Sequence, residues 1–249
     1  MLTQNELKYY SSLKQKKYRQ KESKFIVEGK RLVEEALKSK YKCEIVIMSQ
    51  SFADKNKQPG FSKPQRTEII NDKNYQKLTD TKSPQGISAV MLMFPAVLEI
   101  SSDEKLIIAL ENISDPGNVG TIIRTCDWFG VRSIIISPGS VDLYNPKVIR
   151  STMGSLFHIN IFEPDDFYDD LLRLKKKGMK ILCSDMDGKN IFTYKGKGNK
   201  VLVMSNEAHG PTETALKLSD DIVTIPKQGN AESLNVASAA AVMIAQLTR

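Results

Sequence analysis

The stretch Leu106-Ile-Ile-Ala-Leu-Glu-Asn-Ile-Ser-Asp-Pro-Gly-Asn-Val-Gly-Thr-Ile-Ile-Arg-Thr125 determines the fold class of this 249-residue chain. Its first five residues form a continuous apolar run, which is typical of a strand buried on both faces of a parallel sheet. Asp115-Pro116-Gly117 is a turn sequence, and Asn118 is a favourable N-cap for a helix over residues 119–129. The stretch therefore predicts one strand–turn–helix unit of an α/β protein.

The same alternation of apolar strands and helices continues along the rest of the chain. It predicts a buried parallel sheet, whose ligands collect beyond the carboxyl ends of its strands. The predicted strands are 106–110, 133–136, 159–162, 181–184, 201–204 and 222–225, and the predicted helices are 119–129, 165–177, 212–218 and 233–247.

The residues before position 100 predict a second, smaller α/β unit. They open with a basic segment, 8–24, that we interpret as a helix or an arm, and the polar residues 95–104 predict a linker. We therefore expect two domains, 1–97 and 105–249. Short strands are predicted at 25–27, 45–48, 69–70 and 87–94, with helices at 31–37 and 73–78.

The positive charge of the chain is concentrated in the first lobe. Lys and Arg number 36 against 29 Asp and Glu, a net charge of +7. Residues 1–100 hold 19 basic and 11 acidic side chains, whereas the other 149 residues hold 17 and 18. This asymmetry favours a polyanion held by the first lobe and chemistry in the second. The alternative is a lysine-rich surface that only keeps the protein in solution.

Several classes of protein are not expected from the sequence. No apolar run approaches the ~18 residues that cross a bilayer, and residues 1–20 lack the apolar centre of a secretory signal. Three cysteines, an odd number without metal-ligand spacing, and two histidines predict no metal site. Free thiols fit a reducing compartment, so we expect the cytoplasm. Dinucleotide, phosphate-loop and nucleophile-elbow motifs are all absent from the sequence.

Three loops rich in Gly, Asn, Ser and Pro follow predicted strands, at 112–118, 205–210 and 226–233. Arg124, six residues after Asn118, has the reach to bind a phosphate with two hydrogen bonds, although this segment alone favours a solvated side chain beside an ordinary helix cap. Glu207 either orders its loop or holds a ligand. Ser233 or Asn235 caps the last helix.

Together these segments resemble the SpoU (TrmH-type) branch of the SPOUT RNA 2′-O-ribose methyltransferases. The first motif is Asn112-Ile-x-Asp-Pro-x-Asn-Val-Gly-x-Ile-x-Arg124-Thr, and the second is Asn206-Glu207 at a strand end. The third is Ile225-Pro226 followed by Ser233-Leu-Asn-Val236. Each is weak singly, but jointly they are specific and cover 106–249. The stretch 25–32 also resembles the L30e-like substrate-binding domain that precedes many members.

The resemblance implies an enzyme that transfers a methyl group from S-adenosylmethionine to a ribose 2′-hydroxyl, in rRNA in preference to tRNA. It also implies a trefoil knot in the C-terminal domain, a homodimer with active sites near the subunit interface, and no need for a metal. Arg124 would bind the neighbouring phosphate and favour the developing alkoxide, or serve as the base; the sequence leaves both open.

By the same resemblance, specific residues of this chain take roles in the site, while the basic first lobe supplies the expected RNA contacts. The catalytic residues are Asn118, Arg124, Glu207, Ser233 and Asn235. The cofactor-binding residues are Met204, Ser205, Asn206, Gly210, Ile225 and Leu234. The RNA-binding residues are Lys14, Lys16, Lys17, Arg19, Lys21, Lys24 and Arg31.

The second motif departs from the family pattern, which commonly has Gly-x-Glu-Gly-x-Gly. Here Ser205 and Ala208 add side chains where glycine lets a backbone approach a ligand. This departure keeps a second function open, a non-catalytic RNA-binding protein of ribosome assembly on the same fold. A tRNA 2′-O-methyltransferase and a base-methylating SPOUT enzyme are further alternatives.

Overall fold

A computed structural model describes residues 2–56, 66–94, 104–206 and 209–249. These residues form two compact units. The first comprises the described residues before position 95 together with Asp142–Phe157, and the second comprises residues 104–141 and His158–Arg249. The segment Asp142–Phe157 thus groups with the first unit, although the sequence predicted it in the second domain. The predicted linker lies, except for Glu104, outside the described residues.

The elements are numbered in chain order. No helix among the described residues is long and apolar enough to cross a membrane. The helices are α1 Gln4–Ser12, α2 Lys16–Glu22, α3 Lys30–Lys38, α4 Gln50–Lys55, α5 Asp72–Leu78, α6 Pro116–Trp128, α7 Pro146–Thr152, α8 Phe167–Lys176, α9 Glu213–Leu218 and α10 Val236–Leu247, with a 3₁₀ turn at Ser155–Phe157. The strands are β1 Lys24–Glu28, β2 Cys43–Ser49, β3 Thr67–Ile70, β4 Ile87–Leu92, β5 Leu106–Glu111, β6 Ser133–Ile136, β7 Asn160–Phe162, β8 Lys180–Asn190, β9 Lys200–Ser205 and β10 Asp221–Thr224.

The first unit is built on a four-stranded sheet of order β1-β4-β2-β3. Strand β4 is antiparallel to both β1 and β2, and β3 is parallel to β2. The basic N-terminal segment is not a free arm, because α1 buries Leu7, Tyr10 and Leu13 against Ile45 and other apolar residues of this sheet. The α/β character predicted for this region is therefore confirmed.

The segment Asp142–Phe157 completes the interior of the first unit. The ring of Tyr144 lies 4.5 Å from that of Phe25 in β1, and the ring of Phe157 lies 5.4 Å from that of Tyr41, centroid to centroid. Contacts of this kind join residues more than a hundred positions apart, so no local sequence pattern could have predicted them.

The second unit contains a six-stranded sheet of order β10-β8-β9-β5-β6-β7, and all of its strand pairings are parallel. The central strands are buried on both faces, which explains why they were recognisable as continuous apolar runs. Helices α8 and α9 cover part of the sheet through Phe167, Leu171, Leu174 and Ala215. The predicted parallel sheet is confirmed.

Strand β8 is longer than predicted because it pairs with β10 in two registers. Ile222 lies opposite Cys183, but the next residue, Val223, lies opposite Lys189. The five residues between the two registers, 184–188, therefore bulge out of the ladder. Gly188 makes this possible, since a Cβ atom there would lie 2.5 Å from the carbonyl carbon of Val223, closer than real contacts allow.

The first helix of this unit begins earlier than predicted. Asp115 is the N-cap of α6, and its carboxylate accepts a hydrogen bond from the backbone N–H of Asn118. The prediction of Asn118 as the cap is therefore wrong. The cause is Pro116, which the sequence pattern places in a turn but which is also favoured in the first turn of a helix.

Candidate active site

The second unit contains a cavity of about 750 Å³ at the carboxyl ends of β9 and β10. This is the size range of pockets that hold small molecules and cofactors, about 300–1,000 Å³. Its walls combine apolar side chains, including Met204, Ile225 and Leu234, with backbone and polar groups of the surrounding loops. The cavity lies where ligands of parallel sheets are expected.

The structure brings the predicted cofactor-binding residues together around this one cavity, along with the predicted catalytic residue Ser233. Their role in binding a cofactor stays a prediction. The lining residues from that predicted set are Met204, Ser205, Asn206, Gly210, Ile225 and Leu234.

The first and third predicted segments meet through two asparagines. The side-chain amide of Asn235 donates a hydrogen bond to the side-chain oxygen of Asn118, over 3.0 Å. Asn235 is also the N-cap of α10, accepting from the backbone N–H groups of Ala237 and Ser238. Asn235, rather than Ser233, is therefore the residue that caps the last helix. This hydrogen bond fixes the start of α10, whose Val236 lines the cavity, against the first turn of α6.

Arg124 lies on the exposed face of α6 and makes no hydrogen bond or ion pair with any of the described residues. Val119, Ile122, Ile123 and Cys126 form the buried face of the same helix, as predicted. Arg124 follows Asn118 by six residues, which places it ~9 Å further along the helix axis. Its guanidinium is thus exposed on the helix whose first turn contacts Asn235. Glu207 and Ala208 lie outside the described residues.

Sequence reasoning missed two contributions to the site. The first is the bulge of β8, from which Asp185, Met186 and Asp187 line the cavity. The polar residues that follow the apolar part of β8 gave no indication that pairing with β10 resumes at Lys189. The second is Glu111, the last residue of β5, which is 1% exposed although it is a carboxylate. The available signal for its importance was the position of an acidic residue at the end of β5, which is otherwise apolar.

Ser205 lines the cavity, but its hydroxyl group binds a buried partner. It is buried, and its Oγ donates a hydrogen bond to Oε2 of Glu111 over 2.8 Å. Ser205 was one of the two residues on which the non-catalytic alternative rested, and its hydroxyl group is bound within the protein.

Metal and thiol chemistry have no visible site in the described part of the chain. No group of three His, Cys, Asp or Glu residues is placed to hold a metal ion there. Burial raises the pKa of the Cys183 thiol to about 12, and burial also raises the pKa of Cys126. Both thiols stay protonated at neutral pH and are poor nucleophiles.

The basic residues predicted to bind RNA fall into two groups in the first unit. Lys16, Lys17, Lys21 and Arg31 are exposed. The other three are engaged in contacts within the unit. Lys14 donates to the carbonyl of Lys77 over 2.7 Å, Lys24 pairs with Glu44 at 2.5 Å, and Arg19 is buried in an ion pair with Asp142.

Arg19 is therefore unsuited to the RNA-binding role predicted for it. It is 2% exposed, and besides Asp142 its guanidinium donates to the carbonyls of Leu13 and Lys14. The local sequence predicted that the charge of Arg19 is available to RNA, but Asp142, 123 positions away in the chain, pairs with it.

Comparison with known proteins assigns a family to both parts of the chain. Residues 105–245 match the SpoU rRNA Methylase family, and residues 4–89 match the MRM3-like substrate binding domain. The chain is 31% identical over 245 residues to RlmP, the 23S rRNA (guanosine(2553)-2′-O)-methyltransferase of Bacillus subtilis, covering 97% of this chain and 95% of that protein.

This chain belongs to the SpoU rRNA methylase family. A TrmH-family protein from Porphyromonas gingivalis has the same fold, with a TM-score of 0.89 at 30% identity over 99% of this chain and 98% of that one. An AdoMet-bound rRNA methyltransferase from Sinorhizobium meliloti gives a TM-score of 0.87 at 27% identity, over 99% and 95% of the two chains. The predicted family, fold class and enzyme class are confirmed.

Proposed function

We propose that this SpoU-family member transfers a methyl group from S-adenosylmethionine to a ribose 2′-hydroxyl of ribosomal RNA. The observation that supports the proposal is the cavity at the ends of β9 and β10, because residues of the second and third motif segments line it together. The first motif segment reaches the third through the hydrogen bond between Asn118 and Asn235. RlmP, which resembles this chain over almost its whole length, methylates a guanosine ribose of 23S rRNA. We therefore favour rRNA over tRNA as the substrate.

The cavity suits S-adenosylmethionine in size and in chemistry. Met204, Ile225 and Leu234 offer apolar surface, while Asp185 and Asp187 bring negative charge to a wall that would face a positively charged ligand. Backbone groups of the 204–210 loop would hold its polar parts. When bound, the cofactor supplies an electrophilic methyl group on a sulfonium.

Arg124 is the residue that we assign to the RNA end of the reaction. Its guanidinium is always protonated, so it can bind a phosphate bidentately and stabilise negative charge on the attacking oxygen. Asn118 and Asn235, joined by their hydrogen bond, would hold the entry to the site in shape, and Ser233 and Glu207 would orient the target nucleotide.

Three properties that the family resemblance implies are part of the proposal. They are a trefoil knot in the second unit, assembly as a homodimer, and action in the cytoplasm without a metal. Trp128 supports the homodimer, since an indole that is 84% exposed at the end of the helix carrying Arg124 is a suitable core for a subunit interface.

The proposal is tested with purified protein, ribosomal RNA and S-adenosylmethionine carrying a labelled methyl group. We expect label in 2′-O-methyl nucleosides by mass spectrometry with the wild type, and a loss of at least 100-fold in rate for Arg124→Ala, because the oxyanion loses its stabilising charge. Arg124→Ala should still bind S-adenosylmethionine in calorimetry, since Arg124 does not line the cavity.

Arg173→Ala is the matched control, since Arg173 is an exposed arginine on a different helix and should leave the rate unchanged. A wild-type protein that binds no S-adenosylmethionine would refute the proposal and favour a non-catalytic RNA-binding protein. Label found in base-methylated nucleosides, or in tRNA alone, would refute the assigned substrate.

A further inference from the structure

The buried carboxylate of Glu111 takes no part in the proposed methyl transfer, yet it is hydrogen-bonded to Ser205, which lines the cavity. Glu111 is the last residue of β5 and lies opposite Ser205, the last residue of β9. A carboxylate that is 1% exposed is costly unless hydrogen bonds replace its water.

Four donors meet this carboxylate. Oε1 accepts from the hydroxyls of Tyr168 and Thr212, each over 2.7 Å. Oε2 accepts from the hydroxyl of Ser205 over 2.8 Å and from the backbone N–H of Thr212 over 3.1 Å. Among the described residues no lysine or arginine pairs with Glu111, and the hydrogen bonds that it accepts there come from hydroxyl and backbone N–H groups.

Two of these partners, Ser205 and Thr212, are the residues at the two ends of one loop. That loop, 206–211, supplies Asn206, His209, Gly210 and Pro211 to the cavity wall. Its first residue is held at the same place, because the Asn206 amide donates to the backbone carbonyl of Asn112 over 3.1 Å. Thr212 in turn caps α9, accepting from the N–H of Ala215.

We infer that Glu111 is a positioning residue for the methyl donor: by binding Ser205 and Thr212, its carboxylate positions the described wall residues between them, Asn206, His209, Gly210 and Pro211. This inference rests on the proposed function. Tyr168, on α8, binds the same carboxylate and also lies 3.0 Å from the Thr212 hydroxyl, but it neither belongs to the loop nor lines the cavity. Without the Tyr168 hydroxyl, the three donors of Ser205 and Thr212 would still have Glu111 as their acceptor, so we expect Tyr168 to contribute to stability more than to the shape of the wall.

This difference between partners gives the test its matched control. Glu111→Leu removes the acceptors for both loop ends, and we expect the Kd and the KM for S-adenosylmethionine to rise at least tenfold, with a smaller change in kcat at saturating cofactor. Glu111→Gln should restore binding to within a few-fold of the wild type, because one amide oxygen can still accept from Ser205 and from the Thr212 N–H, while the amide NH₂ donates to the Tyr168 and Thr212 hydroxyls.

Tyr168→Phe should lower the melting temperature but leave the Kd within about twofold of the wild type. Kd is measured by calorimetry and stability by thermal unfolding. If Tyr168→Phe weakened binding as much as Glu111→Leu, or if Glu111→Leu bound the cofactor normally, the inference would be overturned. A wild type that binds no S-adenosylmethionine would instead overturn the proposed function itself.

Should Glu111→Leu fail to fold, the pair Thr212→Val and Thr212→Ser decides the question. Thr212 does not line the cavity, and only the serine variant keeps the hydroxyl that binds Glu111. Weaker cofactor binding in Thr212→Val, with normal binding in Thr212→Ser, supports the inference. Equal affinities in both variants overturn it.

Discussion

Arg19 and Asp142 form an ion pair in the interior of the first unit, with side chains 3% and 11% exposed. Taking such a pair out of water is expensive, and its attraction roughly offsets that cost only while both partners are present. We therefore expect the pair to contribute to the specificity of the fold more than to its stability, since it joins Arg19 to a segment 123 positions away.

Removing one partner should be far worse than removing both. We expect Asp142→Ala to lower the free energy of unfolding by about 3–5 kcal/mol, because a guanidinium is left buried without its counter-charge. The measurement is urea unfolding followed by circular dichroism. Arg19→Met combined with Asp142→Leu should regain most of the loss, while Asp169→Ala, which breaks an exposed pair with Arg173, should change stability by less than about 1 kcal/mol. A similar cost for Asp142→Ala and Asp169→Ala would contradict this account.

At the scale of single elements, α2 presents several exposed basic side chains of the first unit. Lys16, Lys17 and Lys21 are exposed on it, whereas Arg19 on the same helix points inward. Deleting the N-terminal segment would be a poor test of RNA binding, because α1 buries Leu7, Tyr10 and Leu13. Substitution of surface lysines leaves those core residues in place.

We expect Lys16→Gln, Lys17→Gln and Lys21→Gln in one chain to weaken rRNA binding and to flatten its salt dependence. For every phosphate that a lysine no longer neutralises, the slope of log K against log salt should fall by ~0.7–0.9. Filter binding between 50 and 200 mM salt, roughly the range where phosphate neutralisation dominates the affinity, measures the slope. The control is the same change at Lys176, Lys195 and Lys197, exposed lysines of the second unit. Equal slopes in all three proteins would show that α2 is only a solvated surface.

The elements also show what the sequence could and could not predict. Strand 133–136 was predicted with its observed bounds, because Ile134, Ile135 and Ile136 are buried and leave a continuous apolar run. The sequence prediction ended strand β8 at residue 184, because a register shift around Gly188 leaves no trace in the hydrophobic periodicity. Helix α7 was missed because seven residues beginning with proline resemble a turn.

The same distinction holds for the site. The family motifs located the cavity loops, since loop composition at strand ends is a local property. Arg19 points inward because it pairs with a residue 123 positions away, and the donors to Glu111 are 57, 94 and 101 positions away from it. Such pairings are set by tertiary packing alone.

At the scale of the complete protein, the exposed Trp128 leads to a prediction about assembly. We expect sedimentation equilibrium to give a mass twice the chain mass of 27.9 kDa. Trp128→Gln should shift the equilibrium toward the monomer, because an exposed aromatic side chain is a frequent anchor of interfaces. Phe192→Gln, a change at another exposed aromatic residue of the second unit, should leave the dimer intact. A wild type that is monomeric at micromolar concentration would contradict the predicted homodimer.

The membership of Asp142–Phe157 in the first unit has a consequence for how the protein folds during synthesis. On the ribosome, residues 1–94 emerge early, but Tyr144 and Phe157, which pack on Phe25 and Tyr41, are translated later. Because the ribosome adds about 5–20 residues per second, several seconds pass before residues 142–157 are synthesised. Until then the first unit has an exposed apolar face, and the guanidinium of Arg19 has no counter-charge. We expect chaperones to bind the nascent chain during that interval, because folding of the first unit is completed by a segment made after the first strands of the second sheet.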